Sequence, residues 1–304
     1  MLSFLWSFVA LVGFHCFARA TEGGLAAPSG NRTLTGVDVA YVINLDRRPD
    51  RLADFYRRYP FARSGVTRLA AVDGRDLSGE DPRLGLFAVN KWGTTEWPTG
   101  LVGATLSHYE VWKRVVQQPT VDLALVFEDD VRFSDSFAHE WESRISPLLP
   151  SSDFDVLYIG GRRKEGCTRH RDGLEEEHPP GGLIRPTRSA LCELQCHAYV
   201  VSRAGAQKLL KWAEYPRGGV DRSIDCWMLD AVPLLDVRAT WNLVCHSVPG
   251  AQVNTDHASA TDINTPEIIN VATGRRRMRP GFEAEVTGAE AGPARQSARG
   301  MLEI

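Results

Sequence analysis

The sequence predicts an α/β fold: a single Rossmann-like domain with a mainly parallel sheet flanked by helices. Short apolar runs, among them 39–45, 124–127, 156–159 and 198–201, stop abruptly at polar or glycine residues. That is how strands buried on both faces read. Between the runs, apolar residues recur three and four apart, the spacing of helices that cover a sheet. A third observation points to a site. Ala124-Leu125-Val126-Phe127 runs straight into Glu128, Asp129 and Asp130, and open α/β sheets bind ligands beyond the carboxyl ends of their strands.

Length and composition set the frame. The 304 residues are 43% apolar and 24% charged, with a net charge of −3, the profile of an ordinary globular chain. Basic residues form no broad face and cluster only locally, as in Arg275-Arg276-Arg277, so no nucleic-acid partner is expected. Leu2–Phe14 is almost wholly apolar and Ala18-Arg19-Ala20 fits a cleavage site. Residues 1–20 therefore read as a signal peptide, with a membrane anchor as the alternative although the apolar run is short for a span, and no transmembrane span is expected in the mature chain. Residues 21–36 read as a linker, 37–272 as the domain and 273–304 as a disordered tail. A signal peptide implies the secretory lumen, endoplasmic reticulum or Golgi, or secretion, and Asn31-Arg32-Thr33 is a glycosylation sequon suited to it. In that oxidising setting Cys167 with Cys192 or Cys196 are disulfide candidates.

The elements follow in order. Val39–Leu45 is the first strand, and Asp46 to Asp50 turns the chain, with Pro49 placed to start a helix. Leu52, Phe55, Tyr56 and Tyr59 line that helix. Leu69–Val72 is a short strand broken by Asp73-Gly74. Residues 76–100 have little periodicity, and Trp92 and Trp97 there suit either a lid near the site or a surface insertion with packed tryptophans. Ser107-His108-Tyr109-Glu110 fits a capping box that opens a helix with Leu106, Tyr109, Trp112 and Val116 on one face. Phe133, Phe137, Trp141 and Ile145 mark another. After the strand at 156–159, residues 162–189 lack any period and read as a loop. Ala198–Val201 is a strand, and Ser202 caps a helix bearing Ala206, Leu209, Leu210 and Ala213. No internal repeat is visible.

Three adjacent carboxylates repel one another unless a cation or proton intervenes. All-oxygen ligands with open positions suit Mn²⁺ or Mg²⁺ carrying substrate phosphates.

Several stretches, taken in order, resemble glycosyltransferase family 25. They are Val42-Ile43-Asn44-Leu45-Asp46-Arg47-Arg48-Pro49-Asp50-Arg51, Ala71-Val72-Asp73-Gly74, the Gly103-x-x-x-Ser107-His108 helix and the acidic end Leu125–Val131. His197–Ser202, Ile224-Asp225-Cys226-Trp227-Met228 and a closing stretch with Pro249, Gln252, Ser259 and Asp262-Ile263 continue the series. The resemblance implies a GT-A-type fold and an inverting transfer of a sugar, galactose first among them, from a UDP-sugar donor to a glycan or protein acceptor such as hydroxylysine. It also implies site residues. Asp129 and Asp130 would hold the metal. Asn44, Asp46, Arg47, Arg51, Asp73, Ser107, His108 and Glu128 would bind the donor. Inversion needs a general base, and Asp225 is the candidate, with a helix-capping Asp as the plainer alternative. His246 and His257 are further possible ligands. The chain ends Met301-Leu302-Glu303-Ile304, without the retention signal of the family's lumenal members. The rival readings are an inactive transferase-like binding module and a metal-dependent hydrolase. The second leaves the Ser107-His108 motif unexplained.

Overall fold

The computed structural model describes residues 32–133, 137–151, 153–160, 196–215, 219–230, 234–245 and 267–278. The signal peptide, Asn31, Cys167, Cys192, the 162–189 stretch, His246, His257 and the closing stretch from Pro249 to Ile263 lie outside the described residues.

Seven strands form the central sheet: β1 (Val39–Asn44), β2 (Thr67–Ala70), β4 (Leu123–Glu128), β5 (Arg132–Phe133), β6 (Val156–Gly160), β7 (Ala198–Ser202) and β8 (Val237–Cys245), in the order β2-β1-β4-β7-β6-β8-β5. β2, β1 and β4 are parallel, as are β6 and β8, while β7 runs against both β4 and β6 and β5 runs against β8. The mainly parallel α/β sheet is therefore as the sequence predicts. Strand residues alternate between two cores. Tyr41, Ile43, Ala124, Val126, Tyr199 and Val201 face α2 (Thr99–Gln117), α4 (Arg203–Ala213) and α5 (Ile224–Asp230). Ala40, Val42, Leu125, Phe127, Ala198 and Val200 face α1 (Pro49–Arg58) and α3 (Phe137–Glu140). Coverage on both faces is why the strands read as unbroken apolar runs. Among the described residues, no helix is long and apolar enough to cross a membrane.

Several boundaries differ from expectation. The helix expected at Ser107 begins eight residues earlier, at Thr99. Ser107 lies mid-helix, and its hydroxyl donates to the Gly103 carbonyl at 2.7 Å rather than capping a terminus. Phe133 belongs to β5, and the helix after it is only Phe137–Glu140, continued by a π-helical turn over Trp141–Ile145. Residues 32–36 are not a free linker. Leu34 packs on the core, and the Thr35 carbonyl accepts from Trp141 Nε1 at 2.9 Å. Within 76–100, Trp97 is buried while Trp92 is 62% exposed. The segment is tied down at its end by β3 (Glu96–Pro98), which pairs with β9 (Glu267–Asn270).

Strand pairing also continues past residue 272. β10 (Arg276–Met278) pairs with β9, with a left-handed Gly274 in the turn (φ 69°). The basic run is absorbed into this hairpin, since Arg276 pairs with Glu267 at 2.9 Å and Arg277 with Glu96.

Candidate functional site

The chain leaves β1 to form β2 on one side and later returns as β4 on the other. This reversal opens a crevice at the carboxyl ends of β1 and β4. Asn44 and Glu128 close these two strands, so the turn 45–51 and the acidic run 128–130 meet there.

Asn44 stitches the crevice floor together. Its amide donates to Asp129 Oδ2 at 2.6 Å and to the Arg48 carbonyl at 2.9 Å, and its oxygen accepts from Arg68 Nε at 3.0 Å. Arg51 pairs with Asp129 Oδ1 at 2.5 Å and with Asp130 Oδ2 at 2.6 Å. Asp129 is thus buried with both oxygens engaged. Burial pushes its carboxyl up to about 7, against the opposing pull of Arg51. The expectation that Asp129 ligates an ion meets a side chain already committed inward. Asp130 and Glu128 are the carboxylates turned outward, each 22% exposed. Asp130 Oδ1 is buried and has no hydrogen-bond partner. An orphaned carboxylate oxygen at a strand end fits a divalent cation.

The rim comes from the turn after β1. Asp46 is exposed and pairs with Arg68, whereas Arg47 Nε donates to Asp73 Oδ2 at 2.5 Å. Asp73 also accepts from Arg75 N at 3.1 Å. Behind this rim, α2 packs without clearance on residues 72–74. A Cβ on Gly103 would lie 2.5 Å from the Val72 carbonyl oxygen, and one on Gly74 would lie 1.7 Å from the Thr99 carbonyl oxygen. Ser107 accepts from Val72 N at 2.9 Å. With its donation to Gly103, this engages the buried Ser107 hydroxyl in holding the rim. Arg276 braces the same loop by donating to the carbonyls of Gly74 (3.1 Å), Arg75 (2.8 Å) and Leu77.

One turn after Gly103, His108 projects from the helix into the sheet edge. Its Nε2 lies 3.2 Å from Glu128 Oε1 and its Nδ1 lies 3.0 Å from Tyr199 Oη, which in turn accepts from Trp112 Nε1 at 3.1 Å. In the neutral tautomer with its proton on Nε2, His108 donates to Glu128 and accepts from Tyr199. Because β7 runs against β4, its first residues sit at the carboxyl end of β4. The Glu128 amide bonds the His197 carbonyl at 2.8 Å. Cys196, just before β7, is a free buried thiol, not a disulfide partner. It donates to Asp225 Oδ1 through its amide (3.1 Å) and its sulfur (2.6 Å), and its sulfur lies 3.8 Å from Glu128 Oε1. Burial first, then the neighbouring carboxylates, push the Cys196 thiol well up. Asp225 is the second residue of α5, and its carboxylate reaches across to Cys196 instead of capping the helix.

The fold therefore gathers Arg51, His108, Glu128, Asp130 and Asp225 around the crevice, with Asp46, Arg47 and Asp73 on the rim. Asn44, Ser107 and Asp129 hold these residues from behind. Sequence reasoning offered Cys196 only as a disulfide candidate and gave Tyr199, Arg68 and Arg276 no place in the site.

The sequence pattern of glycosyltransferase family 25 (LPS biosynthesis protein) matches residues 37–225, a span that holds every side chain of this crevice except Arg276. The chain belongs to glycosyltransferase family 25. Its relatives include the mouse "Inactive glycosyltransferase 25 family member 3", 31% identical over 192 residues, which are 61% of this chain and 31% of that protein. The human "Procollagen galactosyltransferase 2" is 29% identical over 193 residues, 58% of this chain and 28% of that protein. The chain thus spans about a third of the length of the curated relatives it matches. The solved glycosyltransferase involved in glycosylation of the major capsid of PBCV-1 aligns at 7% identity and a TM-score of 0.34, covering 73% of this chain and 98% of that one. That likeness is too slight to carry an argument. Membership of the family makes a glycosyltransferase the class to which the crevice chemistry is referred.

Proposed function

We propose that this chain transfers a sugar, galactose in the simplest case, from a UDP-sugar to a hydroxyl on a glycan or on a protein side chain such as hydroxylysine, with inversion. The observation that carries this reading is the pair of outward carboxylates, Glu128 and Asp130, at the switch point of the sheet, with Asp225 brought alongside Glu128 through Cys196. A divalent ion, Mn²⁺ or Mg²⁺, would be held by Asp130, whose Oδ1 is orphaned, with Glu128 beside it, and would neutralise charge on the diphosphate leaving group.

The remaining roles belong to the protein's own groups. His108 orients Glu128, and Tyr199 and Trp112 orient His108. Arg47 and Asp73 on the rim face the nucleotide end. Asp225 Oδ1 is engaged by Cys196, which leaves Oδ2 to take the proton of the acceptor hydroxyl as the new glycosidic bond forms. Residence in the secretory lumen, expected from the N-terminal segment, accords with a procollagen galactosyltransferase among the relatives.

A second reading has its own support. Arg51 bridges Asp129 and Asp130, close to where the ion would go, and relatives include proteins named inactive. On that reading the chain is a transferase-like binding module. The two separate on mixing the full chain with UDP-galactose, Mn²⁺ and a hydroxylysine-containing collagen peptide. Acceptor-dependent release of UDP, with a matching mass gain on the peptide, supports transfer. Saturable UDP-galactose binding without UDP release under any acceptor overturns it in favour of the module.

A further inference from the structure

We propose a second metal site in this chain: a thiophilic site for Zn²⁺ formed by His108 Nε2, Glu128 Oε1 and Cys196 Sγ. Among the described residues these three ligating atoms all lie within 4.8 Å of one another. Each comes from a different rigid element, α2, the end of β4 and the foot of β7, so the sheet and its covering helix pre-form the cluster. An imidazole, a carboxylate and a thiolate make a mixed N, O, S donor set. That set suits tetrahedral Zn²⁺ and is poorly matched to Mn²⁺ or Mg²⁺, which prefer oxygen.

Support behind the ligands points the same way. Metal-bound histidines have their second ring nitrogen fixed by a hydrogen bond, and His108 Nδ1 is held by Tyr199 Oη at 3.0 Å, itself fixed by Trp112 at 3.1 Å. Ligation by Nε2 moves the imidazole proton to Nδ1, and Tyr199 Oη keeps a lone pair to accept it. His108 and Cys196 are buried, whereas Glu128 is 22% exposed. Glu128 therefore forms the mouth, and water takes the fourth position there. On binding, a Zn–S bond forms, the thiol S–H breaks and its proton goes to solvent. Held in this way Glu128 is withdrawn from the donor site, so Zn²⁺ inhibits transfer. That consequence, but not the site itself, rests on the transferase reading.

The test uses Co²⁺ as a spectroscopic stand-in for Zn²⁺, on the full chain without donor or acceptor, so its failure is separate from a failure of transfer. The expected result is a near-ultraviolet thiolate-to-Co²⁺ charge-transfer band that Zn²⁺ abolishes and excess Mn²⁺ does not. The band should vanish in Cys196→Ser, persist in Cys226→Ser, and require at least about 10-fold more Co²⁺ in Glu128→Gln, since changes even behind the ligands cost that much. Absence of the band in the wild-type chain overturns the site, and so does its survival in a Cys196→Ser variant with an unchanged circular dichroism spectrum. If Cys196→Ser fails to fold, the Glu128→Gln titration decides, because unchanged Co²⁺ affinity there also overturns the site.

Discussion

Asp225 shows how a residue's role follows from its surroundings. On sequence it was either a base or a helix cap. The structure gives it no capping bond and places it against Cys196, near Glu128. A base acts on proton transfer alone, so Asp225→Asn should lower turnover by about 10²–10⁴-fold while the UDP-sugar dissociation constant holds. Near-normal turnover in that variant would remove Asp225 from the chemistry and turn attention to Asp221 and Asp230. Asp130 differs in kind, because the proposed ion would sit against its orphaned Oδ1. Mn²⁺ should bind weakly alone and much more tightly with UDP, whose phosphate oxygens complete the shell. Calorimetry showing equal affinity with and without UDP would count against this.

Asp129 carries a stability signature instead. Its carboxyl is raised from 3.8 to about 7 in the folded chain. Between these values the native state holds a proton that the unfolded chain has already released. Stability should therefore fall as pH rises from about 4 to about 7 and level off above that. Denaturant midpoints in EDTA should show this slope in the wild type and a flatter one in Asp129→Asn. An identical slope in both would assign the pH dependence elsewhere. That Asp129 turns inward was not legible in the sequence. Three adjacent carboxylates look alike until β1, with Asn44, and α1, with Arg51, are packed beside them.

At the scale of elements, α2 was half legible. Its apolar face and its Gly103-x-x-x-Ser107-His108 pattern are plain in the sequence, but the pattern looked like a helix start. Its meaning is tertiary. Gly103 admits the Val72 carbonyl, Ser107 ties down the Val72 amide, and His108 then points at Glu128. Gly103→Ala would force a Cβ to 2.5 Å from that carbonyl oxygen, and overpacking of this kind costs about 1–3 kcal/mol. Ser107→Ala orphans a backbone N–H and should cost about 1–3 kcal/mol. Both should lower the thermal midpoint. Because the two sites share the Val72 contact, the double variant should lose less than the sum of the single losses. Strict additivity would show that Gly103 and Ser107 act independently. The short strands β3, β9 and β10 were illegible for another reason. Runs of three or four residues carry too little alternation to register, and only their pairing makes them strands.

At the scale of the whole molecule, the strands that build the crevice come from the first two thirds of the chain, and these were legible as apolar runs. The antiparallel insertion of β7 between β4 and β6 was not, since strand order leaves no mark in the sequence. It is that order which brings Cys196 to Glu128. The end of the domain was also misplaced, because a run rich in Arg and Gly reads as tail. Instead, Arg276 reaches back some two hundred residues to the carbonyls of Gly74, Arg75 and Leu77, directly behind the Asp73 rim. A stop after Ala272 removes this brace together with β10. It should lower the thermal midpoint and loosen the rim, weakening UDP binding more than Arg277→Ala, whose partner Glu96 is on the surface. Arg276→Ala in the full chain isolates the brace from the strand. It leaves three carbonyls without their charged donor, and hydrogen bonds to charged groups contribute about 1.5–3 kcal/mol each at most. Hydrogen exchange at the amides of residues 73–77 should rise in Arg276→Ala and stay unchanged in Arg277→Ala. Equal exchange in the two variants would show that the rim stands without Arg276 and that the sequence-based boundary at 272 is adequate for the site.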